Sequence, residues 1–107
     1  MLSALRLSAV AVLLGLFGGL SAQAETITVM IKKMTFSPKE ISANVGDTIE
    51  WQNKDGFVHT ATAVKGGWEV MLPVKKSGSI TFDKAQTIDY FCRFHPNMKG
   101  RITVAAP

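Results

Sequence analysis

From Thr26 to Ala105 the apolar residues recur at every second position in short runs separated by turn residues. A period of two suits pleated backbone, which shows alternate side chains to opposite faces, and it leaves no continuous apolar stripe on a helix. Ile27, Val29 and Ile31 share one face of a run over Thr26–Ile31, and Ile41, Ala43 and Val45 do so over Glu40–Val45. Gly46-Asp47 makes a turn, and Asp47–Gln52 follows with Ile49 and Trp51 inward. Beyond the loop Asn53-Lys54-Asp55-Gly56, the run His59–Val64 carries Ala61 and Ala63 on one side, and Lys65-Gly66-Gly67 breaks it. Trp68–Val74 reads as irregular, because Pro73 cannot donate to a central ladder. Ser79–Asp83 (Ile80, Phe82), Gln86–Cys92 (Ile88, Tyr90) and Arg101–Ala105 (Ile102, Val104) complete the set. Many short strands with frequent turns predict an all-β protein, an antiparallel β-sandwich. Trp51, Phe36, Phe82 and Tyr90 are the expected large core residues.

The first 24 residues read differently. Arg6 supplies a positive start, Ala9–Leu20 is uncharged and apolar, and Ala22-Gln23-Ala24 is an A-x-A cleavage signal. This is the pattern of a cleavable signal peptide over 1–24. The apolar run is shorter than the roughly 20 residues a spanning helix needs, so no membrane span is expected after cleavage. Residues 25–107 are enough for one small domain, and export to the periplasm is the expected destination. Within that span eleven Lys and Arg face eight Asp and Glu, a net +3. The basic residues are dispersed and lack the dense stripe with interleaved aromatics that nucleic acid requires. The positive balance fits solubility and mild steering toward an acidic partner.

The chemistry concentrates in Tyr90-Phe91-Cys92-Arg93-Phe94-His95-Pro96-Asn97-Met98-Lys99-Gly100, which holds the sole cysteine at C-x2-H-x2-M spacing. A lone cysteine in an exported chain cannot close an internal disulfide, and on its own reads as an inert buried thiol or an intermolecular bridge. Beside His95 and Met98 it reads as a ligand. Thiolate, imidazole and thioether together suit copper, and the chain's other histidine, His59, completes a His2Cys plane with a weak axial methionine. The candidate metal ligands are therefore His59, Cys92, His95 and Met98, holding one type 1 copper ion. Zinc is the chemical rival, but it seldom takes a thioether. No carboxylate pair or nucleophile–base constellation points to an enzyme. Phe57, Val58, Phe94 and Pro96 flank the ligands, either as an apolar docking collar or simply as cover.

Phe36-Ser37-Pro38, the run Val45–Asn53, His59 and the Tyr90–Gly100 segment stand in an order that resembles the cupredoxins, most of all the amicyanin and plastocyanin group. The likeness covers nearly all of residues 25–107, except that Trp68–Pro73 matches no pattern of the group. It implies a Greek-key β-sandwich and a monomeric one-electron carrier that meets redox proteins transiently, with a c-type cytochrome or a periplasmic dehydrogenase as partner classes. Copper handling or delivery without an electron-shuttle role is the alternative. Two departures set expectations of their own. The group places asparagine after its first histidine to pin the two ligand loops, so Thr60 must do this through its hydroxyl or backbone. Phe94 stands where amicyanins have proline, and the N–H it restores is expected to reach Cys92 Sγ.

Overall fold

The computed structural model describes residues 23–107, so the leader reading of 1–24 lies largely outside the described residues. Nine strands form two sheets. The strands are β1 (Thr26–Lys32), β2 (Thr35–Ser37), β3 (Glu40–Asn44), β4 (Thr48–Asn53), β5 (His59–Ala63), β6 (Glu69–Leu72), β7 (Ser77–Thr81), β8 (Gln86–Cys92) and β9 (His95–Ala105). One sheet has the order β2-β1-β4-β7 and the other β3-β9-β8-β5-β6. The inward residues of both meet in one core, with Ile31, Ile49, Trp51, Leu72 and Ile102 fully buried.

The β-sandwich is as the alternation predicts, but two pairings are parallel. β1 runs parallel to β4, and β3 parallel to β9, so the expected antiparallel order holds only in part. The Gly46-Asp47 turn explains why. Gly46 has φ 94°, a left-handed conformation that glycine adopts without a Cβ penalty. The chain there leaves β3 in one sheet and enters β4 in the other, so the two runs never pair. The buried Asp47 carboxylate then takes the N–H of Asn44 at 2.8 Å and that of Glu25 at 2.9 Å, tying the start of β1 to the corner.

Trp68–Val74 is the second correction. Glu69–Leu72 is a strand, at the edge of its sheet, with Pro73 just beyond it. An edge tolerates proline where a central strand would not. Trp68 is half-buried and closes the core against Trp51, Phe82 and Tyr90, with ring centroids 6.0, 5.5 and 6.3 Å away. Phe36 and Tyr90 meet edge to face at 4.7 Å, and Trp51 Nε1 donates to Tyr90 Oη at 3.2 Å. Burial pushes the Tyr90 phenol up to about 12, so the hydroxyl stays protonated and serves as a fixed hydrogen-bonding group.

At one pole of the sandwich, where β4 ends and β5 begins, β8 also ends and β9 begins. The expected long 93–99 loop is only partly a loop. Cys92 pairs with His95 across the two-residue turn Arg93-Phe94, yet Phe91 pairs with Lys99. The register therefore jumps, and Pro96-Asn97-Met98 is extra length bulging from β9. Bulges of this kind re-aim side chains at the ends of sheets.

Candidate metal centre

β5 delivers His59 to this pole with its ring fully buried, and β8 delivers the Cys92 thiol, also fully buried. The turn then brings back His95, which is only half-buried. His59 Nδ1 and His95 Nδ1 are 3.1 Å apart, and Cys92 Sγ lies 3.6 Å from the first and 3.5 Å from the second. A point equidistant from the three corners of that triangle is about 2.0 Å from each, roughly the metal–imidazole bond length and a little short for metal–sulfur. Two imidazole lone pairs facing at 3.1 Å repel unless an electrophile lies between them. The geometry thus fits a single ion in the plane of three donors. Met98 is buried in the bulge, and with Phe94, His95, Pro96, Asn97 and the half-buried Met34 it lines a hollow at the same pole. Two imidazoles, a thiolate and a thioether are the donor set of a type 1 copper centre.

The groups behind the donors orient them. His59 Nε2 lies 2.9 Å from Asp55 Oδ2. A proton held there leaves Nδ1 as the bare nitrogen facing the plane, and the carboxylate makes that nitrogen more basic. Asp55 in turn accepts the N–H of Lys33 at 2.8 Å and of Met34 at 3.0 Å. Lys33 and Met34 form the β1–β2 turn with φ 52° and 62°, unusual for residues with a Cβ. Burial pushes the Asp55 carboxyl up, but the Met34 N–H, the His59 ring and the Lys33 N–H outweigh it and hold the group below its ordinary value.

Thr60 does what the expected asparagine would do. Its N–H points to Cys92 Sγ at 3.4 Å, and its hydroxyl accepts the Arg93 N–H at 2.8 Å. With one lone pair so used, the hydroxyl proton goes to Thr62 Oγ1 at 2.8 Å, and Thr62 donates to Glu69 Oε1 at 2.8 Å. Arg93 closes the ring from its other end, its Nε donating to Glu69 Oε1 at 2.8 Å. The Phe94 expectation fails. Among the described residues the backbone N–H on the sulfur is that of Thr60, while Phe94 faces outward at 47% exposure. Phe57, 60% exposed, stands edge-on to His95 with centroids 6.1 Å apart, and Val58 and Pro96 are also exposed. Phe57, Phe94 and Pro96 thus border the ring of His95 without covering it, with Val58 next to Phe57 in the chain.

Comparison with known proteins agrees with this site. The model of the cupredoxin-like domain matches residues 5–104. The chain belongs to the cupredoxin-like family. Within it, this cupredoxin is amicyanin- and plastocyanin-like. It is 37% identical over 84 residues to amicyanin of Paracoccus denitrificans, covering 73% of this chain and 64% of that protein. It is 34% identical over 85 residues to plastocyanin of Scenedesmus fuscus, covering 66% of this chain and 87% of that one. This cupredoxin spans just under two thirds of the Paracoccus amicyanins it matches, 64% and 66%. Among solved structures, a Cu(I) form of amicyanin with a methionine-to-glutamine substitution superposes with a TM-score of 0.68 at 32% identity, covering 75% of this chain and 82% of that one.

Asp55, Met34, Thr62 and Glu69 are the site residues that sequence reasoning passed over. For Asp55 a signal existed, since an acid four positions before a candidate metal histidine can orient its ring. Glu69 carries none, because Trp68–Val74 reads as irregular.

Proposed function

We propose that this cupredoxin is a one-electron carrier in which His59, Cys92, His95 and Met98 would hold a single type 1 copper ion. The observation that carries the reading is the triangle of two Nδ1 atoms and Sγ with sides of 3.1, 3.5 and 3.6 Å. When bound there, copper supplies a site that passes between Cu(I) and Cu(II). The protein's contribution is to hold the donors still. Asp55 fixes the His59 ring, Thr60 fixes the thiolate, and the bulge returns Met98 beneath the turn, so little has to rearrange when the charge changes. The half-buried His95 ring within the Phe57–Val58–Phe94–Pro96 collar is the route by which the electron leaves, to a partner that docks briefly on the collar. Burial of His59 and Cys92 favours the shuttle over copper delivery, because an ion so enclosed is handed to another protein only after the pole opens. Residues 1–24 as an export signal and the periplasm as destination belong to the same reading. Among the described residues no helix is long and apolar enough to cross a membrane.

One equivalent of Cu(II) added to the mature apo-protein is expected to give intense blue absorption from thiolate-to-copper charge transfer. Cys92→Ser is expected to lose the colour and keep the far-UV circular dichroism of the sandwich. A colourless wild-type complex, or a preference for zinc with no blue band, would overturn the reading.

A further inference from the structure

The dispersed lysines of the sequence are not dispersed in space. Two backbone hydrogen bonds and one from a lysine side chain stitch three connections together at the copper pole. Lys54 N donates to Ile31 O at 2.8 Å, Asn53 N donates to Lys76 O at 3.0 Å, and Lys75 Nζ reaches Lys54 O. The β1–β2 turn is held to the same place by Asp55 through the N–H groups of Lys33 and Met34. Lys32, Lys33, Lys54, Lys75 and Lys76 are all exposed there. Asp55 is the one carboxylate among them, and its oxygens are occupied by His59, Lys33 and Met34. The pole therefore carries +4 from these six groups. The Arg93–Glu69 pair on the outer face of the sheet cancels.

The other side chains of residues 25–107 balance differently. Lys39, Lys65, Lys84, Lys99 and Arg101 face Glu25, Glu40, Asp47, Glu50, Asp83 and Asp89, which leaves −1, and of these Lys99, next to Met98 and paired with Phe91, also lies toward the copper end. Lys65 and Lys84 lie toward the opposite pole, after β5 and before β8. Less the Pro96-Asn97-Met98 bulge, the 11 residues of β9 leave eight in the ladder between the poles, about 26 Å of extended chain. The net charge of +3 is thus not a uniform coat but a dipole with its positive end beside the half-buried His95.

We infer that the lysine-rich rim beside the Phe57–Val58–Phe94–Pro96 collar is the docking surface for an acidic patch on a redox partner, and that it steers the partner so that its redox centre meets His95. The inference rests on the electron-carrier reading. The collar by itself selects any apolar surface, whereas the rim on one side of it selects the sign of the partner's charge and fixes the orientation of approach. Fixed charges of one sign around a contact raise association rates by about 10- to 1000-fold and lose that effect as salt rises. An exposed positive rim with no acidic group among the described residues free to neutralise it locally has that property.

The test uses hexacyanoferrate(III) as a small anionic oxidant of the reduced copper protein. One electron passes from the centre to iron(III), giving hexacyanoferrate(II) and oxidised protein, and the return of the blue band is followed by stopped flow. At about 10 mM salt the Debye length is roughly 30 Å, and at about 1 M it is roughly 3 Å. Lys54→Glu with Lys76→Glu is expected to slow the second-order rate about 10-fold or more at low salt and to converge with wild type at high salt. Lys65→Glu with Lys84→Glu changes the net charge equally at the far pole and is expected to slow it by about threefold at most. A cationic oxidant, tris(phenanthroline)cobalt(III), is expected to reverse the order. Equal slowing by the two pairs of substitutions would show that only net charge matters and would overturn the inference. An unchanged rate in the Lys54, Lys76 variant would do the same. If the blue band itself is missing, the copper reading has failed instead, so the two failures are told apart by the starting spectrum.

Discussion

Thr60→Val is the substitution that isolates the join between the two ligand-bearing segments. It keeps the β-branched shape and the backbone N–H on Cys92 Sγ, and removes the hydroxyl that accepts the Arg93 N–H at 2.8 Å. The Arg93 N–H is only part-buried, so leaving it without a partner costs about 1 kcal/mol, the low end of the range of about 1–3 kcal/mol for a buried donor. In a domain of this size each kcal/mol moves the melting temperature by about 4–8 °C, so the expected fall is roughly 4–8 °C. The ion pair of Arg93 with Glu69 belongs to the same ring, but it is exposed and screened by water, so Glu69→Gln is expected to have the smaller effect. Scanning calorimetry of the apo-protein measures both, and Thr60→Ser, which keeps the hydroxyl, should recover most of the loss. If Thr60→Val melts within about 2 °C of wild type, or Glu69→Gln melts lower than Thr60→Val, the hydroxyl does not hold the join.

Met98→Gln is expected to keep copper bound and lower its reduction potential, since an oxygen donor favours Cu(II); voltammetry showing no change would remove Met98 from the metal. Asp55→Asn withdraws the carboxylate that makes His59 basic and is expected to raise the potential. An unshifted value would mean that the 2.9 Å contact with Nε2 only positions the ring. The Asp47 carboxyl is held below its ordinary 3.8, first by the N–H of Asn44 and then by that of Glu25. A carboxylate whose folded value is depressed contributes stability that is complete above the unfolded value and is lost as pH falls through the folded one. Apo-protein melting temperatures should accordingly be flat above about pH 5 and fall below about pH 4. Asp47→Asn is expected to flatten the acid limb, and an identical limb in wild type and variant would exclude Asp47 as a cause.

The faces of the strands were legible because a period of two states which side chains point together. The partners of those strands were not. Alternation in Glu40–Asn44 and Thr48–Asn53 is the same whether the two form a hairpin or sit in opposite sheets, and only the backbone at Gly46 decides it. The four candidate ligands could be read from residue chemistry, since few combinations of cysteine, histidine and methionine have another use at such spacing. What lies behind them could not. The Asp55 carboxylate reaches His59 because a left-handed Lys33-Met34 turn is folded over it, a conformation neither residue type advertises. The sequence points to Phe94, inside the same segment, as donor to the sulfur, and the donor is Thr60, on the neighbouring strand.

The parallel pairing of β3 with β9 bears on when this protein becomes able to hold its ion. Its register joins Glu40 to Arg101 and Asn44 to Ala105, partners 61 residues apart in the chain. Contacts of such separation form late, since a long loop must close before they repay its entropy. β9 is also the strand that carries His95 and Met98. A chain emerging from its N-terminus therefore exposes His59 early and Cys92 late, and the cradle is completed only when the last strand docks. His95 and Met98 reach the thiol through the local β8–β9 turn, whereas His59 joins them only when β5 pairs with β8. The docking of that hairpin between β3 and β5 therefore acts as a latch, and tight binding reports a chain whose two sheets have closed.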